Sequence, residues 1–195
     1  MIFYNLLLLL VTILVAPIHC IRLCLGKKYR ENTLPRLGFQ QFPHWSKEEP
    51  SVWIHSVSVG ETQVAQTLAA EIKKQNPKVK VAISTVTETG QAVARKIEAA
   101  DFTFYYPLDF SWLVKKIFRP LQPSKLIVVE TDAWISMLNQ AKKNSVPAYL
   151  VNGKLSETSA KRYKQFPISE RLLIKPFEHF FVQTEIYQQR FEKSG

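Results

Sequence analysis

Hydrophobic and polar positions divide this chain into three regimes. Residues 1–21 carry no formal charge and centre on Leu6–Leu10 and Val11–Val15. Residues 31–50 are polar and interrupted by Pro35, Gly38, Pro43 and Pro50, a pattern that reads as a connector. From residue 51 onward, short β-rich apolar runs alternate with segments whose apolar residues recur at helical spacing, as at Val64, Leu68, Ala69 and Ile72. The runs predict strands at 52–58, 79–84, 102–106, 125–130, 147–152 and 179–183. The periodic segments predict helices at 61–75, 89–99, 109–118, 132–143, 157–175 and 185–193. Thr89 and Asp109 stand where the caps of their helices are expected.

Strands alternating with helices predict an α/β fold with a mostly parallel, doubly wound sheet. Right-handed crossovers bring every strand's C-terminal end to one edge, outside which such folds bind their ligands. The chemistry is therefore sought in Ser58–Glu61, Ser84–Gly90, Pro107–Asp109, Glu130–Asp132, Asn152–Ser156 and Gln183–Glu185. Neither the dinucleotide fingerprint nor the glycine-rich phosphate loop occurs among them. Read singly, these residues also have plain structural roles. An acid in a first helical turn, such as Glu61, complements the helix dipole by about 0.3–1 kcal/mol. The same holds for Glu130 and Asp132. Thr85, Thr87 and Thr89 suit strand and cap positions, and Asn152-Gly153 suits a turn.

Composition narrows the partners. In 195 residues, 46% are hydrophobic and 22% charged, which excludes a disordered, collagenous or disulfide-stapled chain. The only cysteines, Cys20 and Cys24, lie in the first segment, which fits a reducing compartment. They cannot furnish a thiolate metal site, and His19, His44, His55 and His179 lack ligand spacing, so no metal or cofactor is expected. A net charge of +10 calls for an anionic partner. Arg22, Lys27, Lys28 and Arg30 follow the apolar run instead of preceding it, and no small-residue cleavage site ends it. That is the pattern of an anchor, not of a removed signal peptide. About 20 apolar residues suffice to cross a bilayer, and a basic flank places the downstream domain on the cytoplasmic side. An anionic membrane surface then accounts for the excess of Lys and Arg, at about 1 kcal/mol per residue held near it. No aromatic-interleaved basic motif of the nucleic-acid-binding kind is present, and no nucleic-acid partner is expected.

The strings carry more information together than singly. His55-Ser-Val-Ser-Val-Gly-Glu61, the threonine-rich turn ending Thr89-Gly90, Tyr106-Pro-Leu-Asp109, Val129-Glu-Thr-Asp-Ala-Trp134 and Val151-Asn-Gly-Lys-Leu-Ser156 occur in this order. With the N-terminal anchor and the linker string Leu34-Pro-Arg-Leu-Gly38, they make the chain resemble the N-terminal half of the 3-deoxy-D-manno-octulosonic acid (Kdo) transferases along nearly its whole length. The resemblance implies a two-domain glycosyltransferase of the GT-B type, at the cytoplasmic face of the cell inner membrane. It implies transfer of Kdo from CMP-Kdo to the lipid A precursor lipid IVA in lipopolysaccharide synthesis. Glu61 would be the general base, and Glu130 would help stabilise the transition state. Ser58, Gly60, Thr87, Gly90, Asn152, Lys154 and Ser156 would line the substrate site. The expected organisation is an anchor at 1–25, a basic linker at 26–50 and a Rossmann-like acceptor domain at 51–195. Phe39, Phe42 and Trp45 are expected to be exposed near that linker.

Two strings depart from the family pattern. Glu130-Thr-Asp-Ala-Trp-Ile-Ser136 stands where Glu-Thr-Glu-Leu-Trp-Pro-Asn is usual, and Lys154 replaces an arginine, keeping the charge but losing the two-pronged grip. A donor-binding half is not expected within residues 1–195, so the isolated chain is expected to be inactive. Two other readings remain: a non-catalytic lipid-binding remnant, and another GT-B glycosyltransferase acting on a membrane acceptor.

Overall fold

The computed structural model describes residues 1–25, 28–130 and 134–194, with the side chains of all of these except 19–25, 28–31 and 167. Helices α1 (Ile2–Leu25) and α2 (Lys28–Arg36) precede β1 (Ser51–His55), α3 (Val59–Gln75), β2 (Lys80–Thr85), α4 (Glu88–Ala94) and β3 (Phe102–Tyr105). There follow α5 (Ser111–Leu121), β4 (Lys125–Val129), α6 (Ile135–Lys143), β5 (Ala148–Gly153) and α7 (Glu157–Gln165). A short α8 (Pro167–Ser169), a π-helical turn (Glu170–Ile174), β6 (Phe177–Val182) and α9 (Glu185–Glu192) complete the chain.

The six strands form one sheet in the order β3-β2-β1-β4-β5-β6, parallel throughout. Successive side chains leave a strand on opposite faces, so each buried strand feeds two cores. Trp53, Val128 and Leu126 enter one with Val114, Ile117 and Leu138 of α5 and α6. Val52, Ile54, Val81 and Ile83 enter the other with Ala65, Ala69 and Ala94 of α3 and α4. The predicted doubly wound, Rossmann-like sheet is thus observed.

Several boundaries differ from expectation, each for a local reason. Strand β1 stops at His55, because Ser58 turns out as the N-cap of α3. Helix α4 ends at Ala94, and tight turns run from there to Ala100. The helix expected over 157–175 breaks at Phe166, whose φ of −119° and ψ of 92° are extended. A following proline disfavours helical geometry at that residue. The cap of α4 is Thr87, not Thr89: its hydroxyl accepts from the Gly90 amide. Asp109 does not cap α5, whose N-cap is Phe110. The start expected for α6 at Asp132 lies outside the described residues.

The connector is largely built onto the domain. Helix α2 reaches Arg36 in spite of Pro35, which stands one residue before its end and costs it one backbone hydrogen bond at most. Phe39 N–H bonds to Leu34 O and Gly38 N–H to Pro35 O, the paired bonds of a Schellman stop. Gly38 has φ 86°, and a Cβ there would lie 2.7 Å from Leu113. Leu34-Pro-Arg-Leu-Gly38 is therefore a helix terminator pressed onto α5. Of the three aromatics expected to be exposed, only Phe39 is. Phe42 packs edge-on against Phe102 and Phe104, and Trp45 also leans on the core.

Among the described residues, no helix is long and apolar enough to cross a membrane. A helix, α1, covers most of the anchor expected at 1–25, but it is not shown to anchor or to span a membrane. Its polar positions are used internally: Tyr4 Oη donates to Asp109 Oδ2 at 2.7 Å, and Asn5 exchanges hydrogen bonds with Ser111. Its other faces leave Ile2, Phe3, Leu6, Ile13 and Leu14 exposed.

Candidate functional site

The sheet changes direction between β1 and β4, and the crevice outside such a switch point is where doubly wound folds bind ligands. Glu61 follows β1 and Glu130 follows β4, so the two predicted acids flank it.

Glu61 occupies the third position of α3 and is buried. Its carboxylate turns back over the helix start, accepting from the Val57 amide at 2.7 Å, the Ser58 hydroxyl at 2.9 Å and the Ser58 amide at 3.3 Å. This is the capping-box arrangement, in which an acid satisfies amides the helix leaves unpaired. The same bonds fix the carboxylate at the edge.

Glu130 has φ 62°, and Asn152, one strand over, has φ 58°. Asn tolerates this left-handed region; a glutamate does so only where the surroundings hold it, at a cost of about 1–3 kcal/mol. The Glu130 amide bonds to Val151 O, and the Glu130 carboxylate receives Lys154 Nζ at 2.8 Å. The Asn152 side-chain oxygen accepts from Gln183 at 2.8 Å. The hydrogen bond from Lys154 to Glu130, together with the fields of Glu130 and Glu61, holds the Lys154 ammonium above the ordinary lysine range. The structure thus pairs Glu130 with Lys154 at the edge, one strand over from the strand that Glu61 follows.

The other predicted residues divide. Ser58 and Ser156 are the N-caps of α3 and α7. Thr87 caps α4 and donates to Val57 O at 2.9 Å, bracing the loop that carries Glu61. Gly90 permits that brace: a Cβ there would lie 2.9 Å from Thr87 Oγ1 and 3.1 Å from Val57 O. Gly60 is different. Its Cβ position meets no atom within 4 Å, so no contact inside the chain requires a glycine there. It leaves the start of α3 bare beside Glu61.

Beneath the edge lies a polar cluster that reading along the chain did not single out. Trp53 Nε1 donates to Ser84 Oγ at 2.7 Å, and the same hydroxyl is hydrogen-bonded to His55 Nδ1, also at 2.7 Å. His55 is wholly buried between Tyr106 and Trp134, and desolvation lowers its pKa to about 3. Asp109 accepts from Tyr4, from Tyr106 and from the Ser136 amide at 2.8 Å. Burial still pushes its carboxyl upward. Asp109 stands among the expected edge residues, but its bond to Tyr4, 105 positions away, carries no local signal.

A family model described as 3-deoxy-D-manno-octulosonic-acid transferase (kdotransferase) matches residues 31–195. A 3-deoxy-D-manno-octulosonic acid transferase of Chlamydia trachomatis serovar D is 35% identical over 170 residues, 86% of this chain and 39% of the relative. One from Chlamydia pneumoniae is 28% identical over 195 residues, 99% of this chain and 44% of the relative. The chain therefore spans about two fifths of the length of these relatives. Among solved structures, a UDP-N-acetylglucosamine 2-epimerase superposes with a TM-score of 0.55 at 13% identity, over 75% of this chain and 45% of the epimerase, a likeness of fold.

Proposed function

The chain belongs to the 3-deoxy-D-manno-octulosonic-acid transferase family, and from that premise we propose that it is the acceptor-side part of a GT-B transferase moving Kdo from CMP-Kdo to lipid IVA. The observation that supports this reading most is the placement of Glu61 and Glu130 on either side of the switch point, with Lys154 paired to Glu130. In the proposed reaction the acceptor hydroxyl oxygen attacks the anomeric carbon of Kdo. The bond from that carbon to the CMP phosphate breaks, and CMP leaves with the electron pair. Glu61 takes the hydroxyl proton. A sugar hydroxyl is a weak nucleophile, and a positioned carboxylate base contributes about 10²–10⁴-fold. Glu130 and Lys154 stabilise the charge that develops at the edge, with Ser58, Gly60, Thr87, Gly90, Asn152 and Ser156 shaping the acceptor's bed. The donor-binding half belongs to the part of the family's length that this chain does not span.

The apolar face of α1 is proposed to lie in the interface of the inner membrane's cytoplasmic leaflet, where an anionic surface suits a net charge of +10. Tyr4 and Asn5 would then hold the domain against the bilayer that presents the acceptor.

The capping bonds of Glu61 favour a second reading, in which that carboxylate only completes α3 and the chain binds lipid without catalysis. Glu61→Gln in the full-length transferase separates the two. The amide is isosteric and keeps one acceptor oxygen, enough for the Val57 amide or for the Ser58 donors, but is not a base. Loss of turnover by a hundredfold or more, with acceptor KM and folding retained, is expected for catalysis. Unchanged turnover would establish the second reading.

A further inference from the structure

A guanidinium at the far side of the edge has no partner among the described residues. Arg36 ends α2, and its carbonyl accepts from Leu108 N–H at 2.8 Å, just past the C-terminal end of β3. Gln40 ties the same place together, donating to Pro35 O and to Tyr105 O, the last residue of β3. Asn32, one turn earlier on α2, donates to Glu88 Oε1 at the start of α4. Residues four apart share a helix face, so Arg36 looks toward the strand ends as Asn32 does. The Schellman stop at Gly38 fixes that orientation.

The Arg36 Nε is fully enclosed and unbonded among the described residues, and none of them forms an ion pair with the guanidinium. The residue as a whole is half-buried, leaving its outer nitrogens within reach of solvent. Burying a cation without a counter-charge is unfavourable, and an anion delivered to it would remove that penalty. Desolvation, with no compensating carboxylate, lowers its pKa. The nearby acids are engaged elsewhere: Glu88 with Asn32, Asp109 with two tyrosines and the Ser136 amide. A guanidinium offers a planar fork of donors that matches a phosphate in two-pronged fashion.

We propose that Arg36 is the anion-binding residue of this edge and that it takes the phosphomonoester of a sugar phosphate. The proposal rests on the acceptor-side reading above and adds to it. The ends of β1 and β3 are two strand spacings apart, about 10 Å, so a phosphorylated disaccharide whose hydroxyl meets Glu61 can present its phosphate to Arg36. Arg36 is then a specificity residue: it selects phosphorylated acceptors and does not touch the reacting atoms.

The test titrates the 195-residue chain with glucose 1-phosphate and, separately, with glucose. The side-chain Nε–Hε signal of Arg36 is followed by two-dimensional NMR at low salt and assigned by its loss in Arg36→Lys. Glucose 1-phosphate is expected to shift that signal saturably, and glucose to leave it unmoved. By calorimetry, Arg36→Gln should weaken glucose 1-phosphate binding at least tenfold and Arg36→Lys several-fold, while Lys78→Gln, an exposed residue ahead of β2 at the opposite side of the sheet, leaves it unchanged. A wild-type signal that glucose 1-phosphate does not move overturns the proposal without recourse to any variant. Equal affinity in wild type and Arg36→Gln overturns it too. Because Glu61→Gln turnover is read separately, failure of the phosphate site leaves the transferase assignment standing, and the reverse holds as well.

Discussion

Lys154 Nζ lies 2.8 Å from Glu130 Oε1, joining the end of β5 to the left-handed turn that closes β4. The pair straddles neighbouring strands on the side of the switch point opposite Glu61. It therefore holds one of the two proposed catalytic acids in place.

Glu130→Gln should lower the Lys154 pKa, because the hydrogen bond from Nζ to Glu130 is the largest influence raising it. The Glu61 field remains, so the return toward the ordinary lysine value should be incomplete. NMR titration of the Lys154 side chain reads this directly. A pKa unmoved by the substitution would mean that the two groups do not pair in solution.

His55 makes the domain sensitive to acid. Its folded pKa of about 3 lies below the ordinary 6.5, so the unfolded chain binds its proton first as pH falls. Stability from this group is fully present above pH 6.5 and declines by about 1.4 kcal/mol per pH unit down to pH 3. Urea unfolding between pH 7 and 4 should show this slope, and His55→Gln should flatten it. A His55 ring titrating near 6.5 in the folded protein would refute the prediction.

Asp109 acts in the opposite direction. Burial raises its folded pKa above the unfolded 3.8, so the folded state holds the proton more readily. Its contribution is largest below pH 3.8 and shrinks as pH rises through the raised folded value. Wild type should therefore lose stability relative to Asp109→Asn over that interval. Asp109→Ala should cost more at every pH, about 1–3 kcal/mol for leaving the buried Tyr106 hydroxyl unpaired. Tyr4→Phe should cost only about 1 kcal/mol, since Asp109 keeps its other donors. Denaturant titrations of the three variants at matched pH supply the comparison.

What could be read along the chain depended on how local the deciding contact is. The doubly wound order was legible because strands buried on both faces, such as Leu126–Val129, read as continuous apolar runs between amphipathic helices. Glu61 and Glu130 were legible as edge residues because each follows such a run. Asp109 was misread because an acid before a helix is ordinarily its cap, whereas its partner Tyr4 comes from the far end of the sequence. Helix α2 was missed because Pro35 reads as a breaker, yet in a last turn closed by Gly38 it breaks nothing. Arg36 was read only within the linker string Leu34–Gly38, with no role of its own. Its distinction is an environment without a counter-charge among the described residues, and that exists only after folding.

Two glycines near Glu61 should respond oppositely to the same substitution. Gly90→Ala drives a methyl group against Thr87 Oγ1 at 2.9 Å and Val57 O at 3.1 Å, both part of the brace under the Glu61 loop. It should destabilise the chain by about 1–3 kcal/mol, in the range of overpacking. Gly60→Ala places its methyl in open space inside a helix, where alanine is favoured over glycine by about 0.5–1 kcal/mol. The isolated chain should therefore become more stable, or at worst unchanged. In the full-length transferase the same methyl projects beside the Glu61 carboxylate, into the space assigned to the acceptor. Acceptor KM should rise at least tenfold while stability holds or improves, the pattern of a residue kept for function at the expense of folding. Thermal melts together with acceptor kinetics decide the matter: a stabilised Gly60→Ala enzyme with unaltered KM would remove the start of α3 from the acceptor site.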